Sequence, residues 1–321
     1  MKSKIILISP AAAQANNGNW HTAHRWAKFL SEHCDIAISQ SWSADDGNQD
    51  AMIALHARRS ASSIQEWATQ HPDRPLILVL TGTDLYRDIQ NDASAKRSLH
   101  LATHLVVLQE AGLAVLPANL RGKTRVIYQS ASRLKPAVKS ARRFKAVMVG
   151  HLRDEKDPLT FLKAASLCDS KNTRFEQIGD GLDAALARAA TQAADEQTNY
   201  HWLGGLPRGE TRQRIKRAHV LVNCSLMEGG AHVILEAVQS GTPVLASRIS
   251  GNVGMLGNNY AGYFEVGDAA ELAALVKRCA AEHAFLAHLQ SQCDQRAELF
   301  EPALEKRLVL KLTESALKEP T

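Results

Sequence analysis

A chain of 321 residues, 45% hydrophobic and 22% charged, is too long and too apolar for a disordered tail or a disulfide-stapled mini-domain, and suits two domains with separate cores. Lys and Arg number 38 against 33 Asp and Glu; the formal charge of +5 mildly favours anionic partners and is too small to imply nucleic acid by itself. Cys34, Cys168, Cys224, Cys279 and Cys293 form no metal-ligand spacing, so reduced thiols, a cytoplasmic location and no metal or cofactor are expected.

Lys2 and Lys4 precede the apolar run Ile5 to Ile8, which superficially resembles a secretion signal. Pro10 ends that run well short of the roughly 7 to 15 apolar residues of a signal core, so it reads as a buried first strand. No stretch reaches the roughly 20 apolar residues that cross a bilayer, which predicts a soluble protein. Strands are predicted at residues 4–9, 51–56, 76–80 and 105–108, with helices such as 22–30 and 62–69 between them. Continuous apolar strands alternating with helices imply a parallel sheet covered on both faces. The stretch RLKPAVKSARRFK, residues 133–145, holds six cations, one proline and no acid, and reads as a solvated connection. A nucleic-acid arm is the weaker reading, because no aromatic residue is interleaved before Phe144. Strands then resume at 146–150, 174–178, 220–223 and 243–247. The expected organisation is an acceptor-side domain over 1–138, a donor-binding domain over 139–298, and a tail, 299–321, packing back on the first half. Two doubly wound halves present ligand sites at strand C-termini, so chemistry is expected in the cleft between them.

The segment from Glu228 to Glu236 follows a strand and opens a helix. Gly229 and Gly230 would let a ligand approach the helix N-terminus, whose free N–H groups favour phosphate. If the helix begins near Gly230, Glu228 lies in the preceding loop and Glu236 lies deeper on the same side, more than two turns on. The pair could grip two hydroxyl-bearing parts of an elongated ligand. An acid complementing the helix dipole plus an ordinary helical glutamate is an equally good account of the spacing alone. A second segment, Gly150 to Pro158, holds Arg153 and Lys156 at a strand-to-helix turn, where a diphosphate needs cations. Surface pairing with Asp154 and Glu155 is the bland alternative. Its weight falls because the turns at Gly204-Gly205-Leu206-Pro207 and Ser250 to Gly254 are also glycine-rich, which suggests a nucleotide-sized ligand.

Gly150 to Pro158, Gly204-Gly205, Glu228 to Glu236 and Gly241 to Ser247 together resemble the donor half of glycogen-phosphorylase-like nucleotide-sugar glycosyltransferases, whose fold, GT-B, is two facing Rossmann-like domains. By that resemblance Glu228 contacts the donor sugar, Glu236 the ribose, and Lys156 with a nearby arginine the diphosphate. It also implies donor contacts from Asn17, Gly18, Asn19, His151, Gly204, Leu206, Ser225, Gly229, Gly230, Ala231, Gly251 and Asn252. Two departures stand out: His151 replaces the family's usual arginine, so Arg153 must substitute, and Gly254 stands where an acid is common. Asn17 to Ala27, Leu55 to Ala61, Leu80 to Asp88, Val126 to Ala131, Ser247 to Gly254 and Gly262 to Asp268 resemble, as a set, the selenosugar synthases of selenoneine biosynthesis. That resemblance implies attack by selenophosphate on a UDP-sugar, most simply UDP-N-acetylglucosamine, giving a 1-seleno sugar.

The acceptor-half motifs sit at predicted strand ends and carry Arg25, His56, Arg58, Arg59 and Arg87, with Thr81, Gly82 and Thr83 in the turn after the third strand. A small multiply charged anion needs convergent cations or N–H donors, and Arg58-Arg59-Ser60 at a helix start supplies both. Arg87 pairing with Asp84 or Asp88 is the structural alternative. A sugar hydroxyl would call for a general base, whereas selenophosphate is already anionic, so positioning and charge compensation suffice. Asp84 and His56 are candidates for orienting or protonating the acceptor. The expected partners are therefore a UDP-sugar and a small anion, with no nucleic acid and no integral membrane segment, on a monomer or homodimer. A transferase using a sugar or lipid acceptor, or a non-catalytic nucleotide-sugar-binding protein, would carry the same donor half.

Overall fold

The computed structural model of the protein describes residues 2–10, 18–168 and 170–318, so Asn17 lies outside the described residues. The chain divides into two compact units: Met1–Gln129 with Glu228–Gly230 and Pro302–Thr321, and Ser130–Met227 with Ala231–Glu301.

The first unit is built on strands β1 (Lys4–Ile8), β2 (Asp35–Ser39), β3 (Ala51–Leu55), β4 (Leu76–Leu80), β5 (His104–Val107) and β6 (Thr124–Val126). They form one parallel sheet in the order β2-β1-β3-β4-β5-β6. Side chains alternate across it, so Ile6 and Ile8 join Trp42, Ile64 and Trp67 on one face. Ile5 and Leu7 join Trp26, Leu30, Val309 and Leu312 on the other. The helices Gly18–Leu30 and Pro302–Lys318 thus cover the same face. Between them the buried Glu305 carboxylate accepts from Arg25 Nε at 2.7 Å, Arg25 Nη2 at 3.0 Å and Trp26 Nε1 at 2.8 Å. A carboxylate out of water is tolerated only with such donors and a counter-charge.

The second unit repeats the plan with β7 (Phe144–Val149), β8 (Thr173–Ile178), β9 (Tyr200–Trp202), β10 (Val220–Asn223), β11 (Val244–Ser247) and β12 (Tyr263–Phe264), in the order β12-β11-β10-β7-β8-β9. Pro158 is the first residue of the helix Pro158–Leu167, and the Asp157 side chain caps it by accepting from Thr160 N–H. The cationic stretch runs without helix or strand as far as Phe144 and is mostly exposed, as expected of a solvated connection, though it is tied down at two points. It belongs to the second unit, Leu134 N–H donates to Gln239 O, and Lys139 Nζ donates to Lys216 O at 2.7 Å and Thr242 Oγ1 at 2.9 Å. Burial brings the Lys139 pKa down to about 8. Among the described residues no helix is long and apolar enough to cross a membrane.

Candidate functional site

In an open parallel sheet, ligands bind beyond the strand C-termini where the strand order reverses. The second sheet reverses between β7 and β10, so the loops that leave these two strands are the place to look. They are tied together by Leu226 N–H donating to Glu155 O at 2.9 Å. Lys156 closes the 3-10 turn Asp154–Lys156 and lays its stem over Gly150, where a Cβ would lie 3.4 Å from Lys156 Cγ. Arg153 is half exposed, with Nε 4.0 Å from Glu155 Oε2. His151 Nδ1 accepts Asp180 N–H at 3.1 Å, and the Asp180 carboxylate fills the space over Gly205, where a Cβ would meet Oδ1 at 2.1 Å. Gly204 takes a left-handed φ of 65° and its carbonyl accepts from Gly179 N–H. Leu206 O accepts weakly from Thr211 Oγ1 at 3.3 Å.

The helix after β10 begins at His232 rather than near Gly230, with Ala231 as its buried N-cap. Glu236 therefore lies within the seven-residue helix His232–Val238 and is buried. Its Oε1 accepts from Arg208 Nε and Nη2, both at 3.3 Å, with Arg212 Nε at 3.9 Å and His232 Nδ1 at 3.7 Å. Burial lowers the Arg212 pKa, Glu236 opposes that shift, and Arg212 Nη2 donates to Ser132 O at 2.6 Å. Three cationic or potentially cationic groups thus surround one buried carboxylate, which offsets its desolvation. The sequence reading missed Arg208 and Arg212; the available signal was two arginines four apart on one face of the helix Arg208–Arg217, directly after the glycine-rich turn.

Asn252 does not reach a ligand position. It is fully buried, and its Nδ2 is shared among Asn223 Oδ1, Ser247 O and Ser247 Oγ at 2.9–3.2 Å. Ser225 N–H donates to Asn223 Oδ1 and Ser225 O accepts from Ser247 Oγ. Gly251 is likewise buried in the helix Ser250–Leu256. This network positions the loop ends from below.

The first sheet reverses between β1 and β3, and His56 to Ser60 leave β3 there. Asp84, expected to touch the acceptor, builds the turn instead: Oδ1 accepts from Thr81 and Gly82 N–H, Oδ2 accepts from Ala57 N–H, and the residue has no exposure. Asp84–Asp88 winds as a π-helical turn, a form frequent at functional sites. Arg58 Nε and Arg87 Nε converge on Asp88 at 2.9 and 3.2 Å, which is the structural alternative foreseen for Arg87. Arg25 is not an acceptor ligand, because Glu305 holds its guanidinium. Gly18 and Asn19 form the first turn of a helix, and a Cβ at Gly18 would meet nothing within 4 Å.

Glu228 groups with the first unit and Glu236 with the second. The glycines between them are closely packed where a side chain would stand. A Cβ at Gly229 would lie 2.4 Å from Thr81 O, and one at Gly230 would lie 2.8 Å from Leu108 Cβ. Gly82 at φ 143° completes that close backbone contact. Among the described residues no cluster of His, Cys, Asp or Glu could hold a metal ion.

Residues 132–298, just over half of the chain, match the family of glycosyl transferases group 1. The chain belongs to that family. This group 1 glycosyltransferase is 32% identical over 108 residues to glycosyltransferase 1 domain-containing protein 1 of Xenopus tropicalis, and the match spans about a third of that protein's length (31%) and 33% of this chain. Its fold is similar to that of Anabaena HepE, solved with UDP and glucose, at a TM-score of 0.76 and 16% identity over 98% of this chain and 100% of the other. It is also similar to sucrose-phosphate synthase from Thermosynechococcus elongatus, at a TM-score of 0.78 and 15% identity over 98% and 99%. The pneumococcal O-GlcNAc transferase GtfA, solved with UDP and GlcNAc, aligns over 84% of this chain and 57% of its own at a TM-score of 0.68 and 18% identity. The two parallel-sheet, Rossmann-like domains of this glycosyltransferase are those of the GT-B fold.

Proposed function

We propose that this glycosyltransferase moves a sugar from a UDP-sugar, N-acetylglucosamine being the first to test, onto selenophosphate. The observation that carries the acceptor class is that, among the described residues, the titratable side chains after β3 and β4 at the C-terminal edge of the first sheet are already engaged. Both Asp84 oxygens accept backbone N–H groups, Asp88 is paired with Arg58 and Arg87, and both ring nitrogens of His56 are engaged, Nδ1 by Arg59 N–H and Nε2 by Thr83 Oγ1. A hydroxyl acceptor would need a proton acceptor there, and a pre-ionised selenium nucleophile does not. The motif set that resembles selenosugar synthases supports the same acceptor. In the step, a selenium electron pair forms the bond to the anomeric carbon while that carbon's bond to the diphosphate oxygen breaks, and UDP leaves with the pair. Water then cleaves the P–Se bond, leaving phosphate and the 1-seleno sugar. Lys156 and Arg153 are assigned to the charge growing on the diphosphate.

Mixing the protein with UDP-N-acetylglucosamine and selenophosphate should release UDP and yield a selenosugar by mass spectrometry. UDP release only with hydroxyl acceptors would make it a conventional transferase, and tight UDP-sugar binding without turnover would make it a binding protein.

The ribose role of Glu236 has its own test. Glu236→Gln should weaken UDP binding by calorimetry by about tenfold or more, since hydrogen bonds to charged groups contribute roughly 1.5–3 kcal/mol. Arg208 and Arg212 lose their carboxylate in this variant, so inorganic pyrophosphate should bind as well as before or better. UDP affinity equal to wild type would remove Glu236 from the ribose site.

A further inference from the structure

His56 leaves β3 with a left-handed φ of 73°, unusual for a residue with a side chain and maintained only where the surroundings over-determine it. The surroundings here are specific. His56 N–H donates to Val79 O, His56 O accepts from Ser60 N–H, and Ser60 Oγ donates to Leu55 O at 2.6 Å. The consequence is a buried imidazole held at both ring nitrogens. Nδ1 accepts Arg59 N–H at 3.3 Å, so the hydrogen of the neutral ring sits on Nε2. Nε2 lies 3.0 Å from Thr83 Oγ1 and therefore donates to it. Burial, aided by Arg59 and Arg58 and opposed by Asp84 and Asp88, lowers the ring's pKa and so favours the neutral form. A ring with Nδ1 occupied and the Nε2 hydrogen given to Thr83 suits the orienting role among those expected for His56 rather than the protonating one.

Thr83 is then forced in one direction. Its oxygen receives the imidazole N–H, so its single hydrogen must be donated elsewhere, and among the described residues no acceptor stands against it. Arg59, on the turn that fixes Nδ1, makes no ion pair with a carboxylate among the described residues, unlike Arg58 and Arg87. An orphan hydroxyl donor and an uncompensated guanidinium on neighbouring loops of one sheet edge suit a tetrahedral oxyanion. We infer that His56 is a positioning residue that holds Thr83 as a hydrogen-bond donor to an oxygen of the anionic acceptor, with Arg59 supplying the counter-charge. This deepens the acceptor reading above and rests on it only for the identity of the anion.

The test uses inorganic phosphate and thiophosphate as probes, titrated into the full chain by calorimetry, alongside steady-state kinetics with selenophosphate. Thr83→Val should weaken phosphate and raise the selenophosphate KM by about tenfold with kcat and the donor KM nearly unchanged. Thr83→Ser, which keeps the hydroxyl, should stay within about twofold. His56→Asn tolerates the left-handed backbone but is too short to reach Thr83, and should match Thr83→Val. The double variant should be no worse than Thr83→Val alone, a coupling that a merely structural role for His56 would not produce. Unchanged phosphate affinity in Thr83→Val, or multiplied losses in the double variant, would overturn the inference. If selenophosphate supports no turnover while phosphate still responds to these changes, the acceptor identity is wrong and the oxyanion site stands.

Discussion

Lys156→Ala should reduce kcat by about 100- to 1000-fold, the usual cost of removing one preorganised charge from a developing anion. The geometry singles out this lysine over its neighbour. Arg153 is half exposed and turned toward Glu155, so solvent and a carboxylate already screen it. Lys156 is held at the end of a short turn with its stem against Gly150, and the loop leaving β10 is fastened to the same turn through Glu155 O. Arg153→Ala is therefore expected to cost less than tenfold. Comparing kcat with the Kd for UDP separates two meanings of any loss. A fall in kcat much larger than the fall in UDP affinity places Lys156 on the transition-state charge, whereas equal falls mean uniform binding. A Lys156→Ala enzyme with wild-type kcat would remove it from the leaving-group site.

The legible part of the fold was what burial writes into sequence. β3, β4, β5 and β10 are buried along their whole length, so each reads as an uninterrupted apolar run. β2, β6, β9 and β12 went unpredicted because they are the outermost strands of their sheets, and the last three are only two or three residues long. Asp35–Ser39 carries polar residues at both ends and is only partly buried, which leaves no such run. The site divides the same way. Lys156 and Glu236 could be singled out as candidates because a cation in a strand-to-helix turn and an acid in a helix opened by a glycine pair have a local pattern. The arginines on Glu236 come from a different helix, so their meeting depends on packing that no window of sequence contains. The role of Asp84 was within reach, since an aspartate two or three residues after Thr81 and Gly82 often accepts backbone N–H groups in a turn. The left-handed backbone of His56 was not, because only glycine, asparagine and aspartate advertise that conformation.

Gly179→Ala is expected to be the most damaging single-methyl change in the second unit. Gly179 follows β8 at φ 148°, and a Cβ there would lie 2.0 Å from Gly150 O and 2.7 Å from His151 N. Both atoms are backbone, so no flexible side chain can give way. The neighbouring bonds prevent the turn from moving: Gly150 N–H donates to Ile178 O and Gly179 N–H to Gly204 O, each at 2.8 Å. Backbone strain and overpacking together come to roughly 3–5 kcal/mol, a large part of the about 5–15 kcal/mol that holds a typical domain folded. A fall in Tm of about 10 °C or more should follow for a unit of this size. Gly209→Ala provides the control. Gly209 lies in the helix Arg208–Arg217, where a Cβ would meet nothing within 4 Å, and alanine is favoured there by about 0.5–1 kcal/mol. Thermal melts followed by circular dichroism should therefore move in opposite directions for two identical substitutions. A Gly179→Ala melt within 2–3 °C of wild type (on the order of 1 kcal/mol) would mean that the three glycine turns at this sheet edge do not interlock. The turn carrying Lys156 and the turn that leads into the helix of Arg208 would then need another account of how they are held.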